Sequence, residues 1–212
     1  FDEQKLLALC GDHVRMMSRA DLVAAVRPFV VAAGGSFNAG VFDSAPAFAE
    51  NVVACFQQRL QLYTELAEKI DPFVADAVEY DPGALKNLRK REQAPQWLRA
   101  YAEVVAASNA PPSYPADRGA ADTQVVLPTV DDAPPPESPP NYDPPAELHR
   151  QAKALTDELE AKFGHFVGPV RAALSGTDRG PGLFDIVYLL GKERAVARLR
   201  AGAEWLEQHP QE

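Results

Sequence analysis

Eleven of the 19 prolines in this 212-residue chain lie between Pro111 and Pro145. Proline has no backbone N–H and its ring clashes with the preceding turn, so neither a helix nor a central strand runs through such a stretch. Residues 108–147 also carry seven acidic side chains against one arginine, Arg118. Like charges repel, and the segment offers little apolar surface to bury. It is expected to be a disordered or polyproline-like linker. One extended patch, Thr123 to Leu127, is too short to fold alone. The chain is thereby divided into residues 1–107, residues 108–147 and residues 148–212.

The formal charge of −9 argues at first against a polyanionic partner. By region it is −3 over 1–107, −6 over 108–147 and zero over 148–212. Most of the excess acid therefore sits in the linker, and a local basic patch on a folded block remains open. Hydrophobic residues make up 46%, enough for real cores on both sides of the linker. No apolar run approaches the 18 residues a membrane span needs. Two cysteines, Cys10 and Cys55, make no disulfide framework, so a reduced, cytoplasmic setting is expected. Phe1 is not an initiator methionine, and the chain reads as a piece of a longer protein.

Outside the linker the periodicity is helical. A first helix runs from Lys5 towards Met17, with Gly11 as an interruption costing about 1 kcal/mol. Ser18, three residues before Asp21, is an N-cap pattern. The helix it opens carries Leu22, Val23, Val26, Phe29 and Val30, with a kink or early stop expected near Pro28. Gly34-Gly35 ends it. Pro46 starts a long amphipathic helix whose apolar face is Phe48, Val52, Cys55, Phe56, Leu60, Tyr63 and Leu66, stopped by Asp71-Pro72. Two helices follow, near 82–92 and 94–107. Helix resumes at about 146, is broken by Gly164 and Gly168-Pro169, and returns briefly over Val170 to Leu174. Turns at Ser175-Gly176-Thr177 and Gly180-Pro181-Gly182 precede a last helix through Val196, Leu199, Ala203 and Leu206. No alternating strand pattern occurs, so the fold class is all-α.

No motif for covalent or redox catalysis stands out. The histidines, His13, His149, His165 and His209, have no metal-ligand spacing, and no metal site is expected. Cys10 and Cys55 read as core thiols. There is no glycine-rich phosphate loop. The basic residues carry more information. Lys86, Arg89, Lys90 and Arg91 cluster on one short helix. They form either a solvated face or a set of phosphate contacts. Arg171 stands alone beside two glycine turns, a placement that suits either a base contact or a buried ion pair.

Three C-terminal words carry a resemblance. Gly168-Pro169-Val170-Arg171-Ala172-Ala173-Leu174-Ser175-Gly176 resembles the "xPLRxALTG" stretch of bacterial glutamyl-tRNA synthetases. Pro181-Gly182-Leu183-Phe184-Asp185-Ile186 is similar to that family's "PGLFEIL". Leu189-Leu190-Gly191-Lys192-Glu193-Arg194 matches its "LLGKER". At the other end Phe1-Asp2, Lys5-Leu6, Gly11, Val14, Arg15 and Arg27-Pro28-Phe29 resemble "FDxxKLxWMNGxYIR…PFL". Glu79-Tyr80-Asp81 is similar to a "veYD" region. Ala8, Cys10 and His13 depart from the pattern's Trp, Asn and Tyr.

The resemblance implies an all-helical anticodon-binding cage of two subdomains joined by the insert. It implies that Arg171 contacts the anticodon of tRNA(Glu), with the Gly180 and Leu183 turn lining the same pocket. Arg15 matches the arginine associated with separating Glu from Gln anticodons. Gly180 stands where the family often has a threonine, so a hydroxyl contact is absent there. ATP and Mg belong to the catalytic domain of the implied parent ligase. That domain's His-Ile-Gly-His-like and Lys-Met-Ser-Lys-Ser-like words do not occur in this chain. The expected fragment is a monomeric tRNA binder without a catalytic site or cofactor of its own. The alternative is a non-catalytic paralogue or interaction protein that kept the helical scaffold and uses the acidic insert for a protein contact.

Overall fold

The computed structural model describes residues 2–110, 144–178 and 180–209. The expected disorder of the proline-rich stretch and the Thr123–Leu127 patch fall outside these residues. Among the described residues there are eleven α-helices and no strand. They form two compact units, each taken separately here: residues 2–76, and residues 77–110 with 144–178 and 180–209.

The first unit holds α1 (Glu3–Met16), α2 (Arg19–Ala33), α3 (Ala39–Ser44), α4 (Pro46–Phe56) and α5 (Thr64–Ala67). Side chains of Asp2, Ser18 and Asn38 cap the first three by accepting from first-turn amides. Contrary to expectation, α1 runs through Gly11 without a break. A Cβ there would lie 3.1 Å from an Arg15 guanidinium nitrogen and 3.5 Å from the Leu60 carbonyl oxygen. The contact with Leu60 is an ordinary one and the guanidinium is the movable end of a long side chain, so the buried glycine is accommodated in the helix rather than required by space. Pro28 does not end α2. Ala24, whose carbonyl loses its amide partner, is exposed, so that carbonyl is open to solvent.

The long helix expected from Pro46 to Leu66 is divided. It ends at Phe56, tightens into a 3₁₀ turn over Gln57–Arg59, and Leu60 is extended. Gln57 explains the break: its amide donates to the carbonyls of Val14 (3.0 Å) and Met17 (2.8 Å), closing the C-terminal end of α1. The core is Leu22, Val26 and Val30 against Phe48, Val52, Phe56, Leu60 and Leu66. Asp71 fastens the bend after α2 by accepting from the amides of Ser36 (3.0 Å) and Phe37 (2.8 Å).

The second unit holds α6 (Pro82–Leu88), α7 (Ala94–Ala107), α8 (Pro144–Glu158), α9 (Phe163–Ser175), α10 (Leu183–Leu190) and α11 (Lys192–Gln208). The sequence expectation ended the first block at residue 107, but packing groups 77–107 with the C-terminal helices. The reason is long-range: α7 lies along α11, and α6 lies along α9. Helix also begins at Pro144, inside the segment assigned to the linker, and Ser108 and Ala110 are buried.

The helix that resumes near 146 does break, but over residues 159–162 rather than at Gly164, which lies in the first turn of α9; the expected break at Gly168-Pro169 does not occur. Burial of Phe166, Pro169, Val170, Ala173 and Leu174 outweighs the local cost, about 3 kcal/mol for an interior proline. Tyr101 meets Phe166 edge-on at 5.4 Å in the middle of this core. Gly202 lets α11 press against α9, since a Cβ there would stand 2.9 Å from the Cβ of Ala173. Arg198 is only 3% exposed, and its guanidinium donates to the Leu174 carbonyl at 2.6 Å, inside the last turn of α9.

Candidate nucleic-acid interface

The residues that suggest chemistry fall in both units. In the second, Arg171 projects from the middle of α9. Its guanidinium donates to the Asp178 carbonyl at 2.7 Å, and its Nε is buried with no hydrogen-bond partner among the described residues. The turn that supplies Asp178 is held from below. Ser175 Oγ donates to the Arg171 carbonyl at 2.9 Å, and the Asp81 amide donates to the Gly176 carbonyl at 2.9 Å.

Gly176 has φ +72°, and a Cβ there would sit 2.2 Å from the Glu79 carbonyl oxygen. Both conformation and space demand glycine. Gly180 has φ +145°, where only conformation makes the demand, because nothing lies within 4 Å of a Cβ. A threonine would be strained there. Leu183, the first residue of α10, is 4% exposed: its side chain is packed inward, and the surface at that corner comes from the turn backbone.

The four basic residues expected on one short helix do not act as one set: α6 ends at Leu88, so only Lys86 lies on it and Arg89, Lys90 and Arg91 follow its end. Arg89 lies over the Trp205 ring at 5.0 Å, a cation–π contact. Lys86 and Lys90 are exposed. Arg91 is half-buried, and its Nε, like that of Arg171, is buried with no partner among the described residues.

Lys90 and Arg91 act electrostatically at the start of α9, where periodicity did not single out Lys162, its N-cap, and His165. His165 titrates below its ordinary value, first because burial penalises its charged form, then because Arg91, Lys162 and Lys90 repel the added charge. What brings Lys162 and His165 to Lys90 is tertiary.

In the first unit, Arg15 pairs with Asp12 one turn earlier on α1, and its guanidinium lies back over Gly11. His13 and Cys10 line a shallow apolar cleft with Leu9, Val14, Leu62 and Tyr63. Cys10 and Cys55 are half-buried rather than core residues. His149 is set edge-on between Phe163 and Phe184, and His209 stacks on Trp205 at 4.5 Å, both packing roles. Among the described residues no three His, Cys, Asp or Glu side chains gather as a metal group would need, and no helix is long and apolar enough to cross a membrane.

Comparison with known proteins gives the family. The sequence pattern of the anticodon binding domain family matches residues 21–117 and 137–203. A glutamate–tRNA ligase of Salinispora tropica is 30% identical over 205 residues, covering 95% of this chain and 37% of that protein. One from Syntrophobacter fumaroxidans is 25% identical over 207 residues, covering 98% of this chain and 36% of that protein. The chain thus spans about a third of the length of the curated relatives it matches. Among solved structures, a glutamate tRNA ligase from Elizabethkingia meningosepticum superposes with a TM-score of 0.66 at 12% identity, over 96% of this chain and 32% of that one. At that identity the likeness speaks for the fold alone.

Proposed function

The chain belongs to the anticodon-binding domain family, and from that premise we propose that it is the tRNA-reading part of a glutamate–tRNA ligase. The parent reaction is ATP- and Mg-dependent activation of glutamate followed by its transfer to the 3′ end of tRNA(Glu). This chain lacks both ATP-site words of the family. Its part is binding energy and identity, not bond chemistry, and it acts in the cytoplasm as a monomer.

The observation that carries this reading is the state of Arg171. Its guanidinium is oriented by the Asp178 carbonyl, beside the buried Gly176 turn that braces it and the part-exposed Gly180 turn, and its buried Nε still lacks an acceptor among the described residues. Unstacked anticodon bases offer acceptor edges and flat faces, and an arginine held in this way can fork onto one or stack on the other. The Gly180 corner, ahead of the inward-packed Leu183, contributes backbone groups only. Arg15 on α1 reads the first anticodon base, giving up its pairing with Asp12 to do so. Lys86, Lys90 and Arg91 supply phosphate contacts, whose affinity falls steeply with salt. Arg89 is committed to Trp205 and contributes less.

Filter binding against tRNA(Glu) transcripts with intact and scrambled anticodons, at two salt concentrations, tests the reading. The intact anticodon is expected to bind more tightly. Arg171→Ala should cost roughly 1–3 kcal/mol of that preference, the usual worth of a forked base contact. Equal binding of both transcripts, unchanged in the variant, would overturn the assignment.

A further inference from the structure

Two contacts fix how α6 lies on α9. At one end the Asp81 amide reaches the Gly176 carbonyl at 2.9 Å, just beyond the C-terminus of α9. At the other, Asn87 Oδ1 lies 3.8 Å from where a Cβ on Gly168 would stand. As the chain advances along α6 it retreats along α9, so the helices are antiparallel. The end of α6 and the start of α9 therefore share one end of the pair. That end carries Lys90 and Arg91, just past the end of α6, and Lys162 and His165 at the start of α9, residues more than 70 apart in sequence.

Three features of this corner point to an anion. Lys162, the N-cap of α9, gives the first turn no side-chain acceptor; its carbonyl takes the His165 amide at 2.8 Å, and the Phe163 and Gly164 amides at the positive end of this 13-residue helix stay uncapped. The buried Nε of Arg91 has no acceptor among the described residues, which is costly unless one arrives. The charges acting on His165 are Arg91, Lys162 and Lys90, all cationic. Helix-end complementation explains lysine and arginine after α6, where the dipole is negative. It does not explain Lys162 at the positive end of α9, where a carboxylate is the favourable choice.

We propose that Lys90, Arg91, Lys162 and His165, together with the first turn of α9, form a seat for one phosphate group of an RNA backbone. The seat accepts a phosphodiester from whichever base it carries, so it contributes affinity and register but no sequence preference. This rests on the tRNA-reading function proposed above. It also divides the basic residues in and after the last turn of α6: Lys90 and Arg91 belong to the seat, Arg89 to Trp205, and Lys86 to neither.

The test is the double substitution Lys90→Gln with Lys162→Gln in the full chain, both sites being exposed and outside the core. The control removes the same charge elsewhere, Lys5→Gln with Lys153→Gln. Binding is measured against tRNA(Glu) transcripts with intact and scrambled anticodons over a range of salt. The seat predicts about a tenfold loss for both transcripts and a salt slope smaller by about 2, one per lysine, with the preference between transcripts kept. The control should stay within about twofold. A double variant that binds like the control overturns the seat. If Arg171→Ala still loses its preference in that same series, the tRNA-reading function survives the loss of the seat.

A second arm is independent of RNA. Pyrophosphate added to the labelled chain should raise the titration midpoint of the His165 ring, followed by NMR, and leave His149 where it was. No movement of His165 at saturating pyrophosphate would also overturn the seat, whether or not the chain binds tRNA.

Discussion

The two units treat apolar surface differently. Every large exposed hydrophobic side chain found among the described residues, namely Leu6, Leu9, Met16, Phe29, Val31 and Leu62, lies in the first unit. Met16 is 83% exposed and Leu9 57%. The second unit closes its core and puts its irregularities into backbone instead. Gly176, Gly180 and Gly191 have positive φ there, Arg198 is buried, and Tyr101 keeps a hydroxyl with no partner among the described residues. The contrast suggests different constraints. A surface that presents turn backbone and an oriented arginine needs stiff supports. A helix such as α1 only has to present a face.

The largest effect that would sharpen this contrast is at Gly176. Gly176→Val combines a left-handed φ with a clash against the Glu79 backbone. It should cost the second unit at least about 3 kcal/mol, by the mechanisms that give large single-site losses. Urea unfolding followed by tryptophan fluorescence reports this unit, because Trp97 and Trp205 both lie in it. A loss below 1 kcal/mol would mean that the turn is less rigid than its geometry implies.

Next is an alkaline limb confined to the second unit. Burial holds the Tyr101 hydroxyl well above the ordinary tyrosine range, and Tyr80 shifts the same way for the same leading reason, partly offset by Arg198. A folded-state value raised above the unfolded one means that stability is complete below the unfolded value, about pH 10. It is then lost as the pH climbs towards the folded value. Tyr101→Phe should flatten that limb. At neutral pH it should cost little or stabilise by up to about 1 kcal/mol, since an unpaired buried hydroxyl is removed. An unchanged alkaline transition in Tyr101→Phe would move the cause to another group.

The smallest effect is at Met16. Met16→Gln should change thermal stability by no more than about 0.5 kcal/mol, as for surface substitutions generally. A larger loss would break the comparison, because it would show that the exposed side chain contributes to packing after all.

Much of the helical framework was legible. Ser18 before Asp21, Pro46 and Pro82 in first turns, Gly34 and Gly176 at helix ends all act as local chemistry requires. The words around Arg171, Gly182 and Gly191 lie at an α9 side chain and two helix starts, where local pattern and backbone demand agree. Gly11, Pro28 and Pro169 were misjudged for a single reason. A propensity cost of about 1 to 3 kcal/mol is set locally, whereas the burial or solvation that offsets it is invisible until the partner segment is known. The break at Gln57 is the converse case, since a residue with ordinary helix propensity left the helix to satisfy the carbonyls of another one.

The candidate site divides in the same way. Arg171 was visible because an isolated arginine between glycine turns is unusual within a short window. Lys162 and His165 were not, because no window contains both them and Lys90. By itself the sequence determined that the chain is helical, where most helices begin and which turns require glycine, since caps, periodicity and φ preferences act over a few residues. Only the tertiary structure decided that 77–107 packs with the C-terminal helices, that Arg89 is spent on Trp205, and that four basic side chains meet at one end of α6 and α9. Those outcomes depend on antiparallel pairing between distant segments, and that is set by the complementarity of whole faces rather than by any local run of residues.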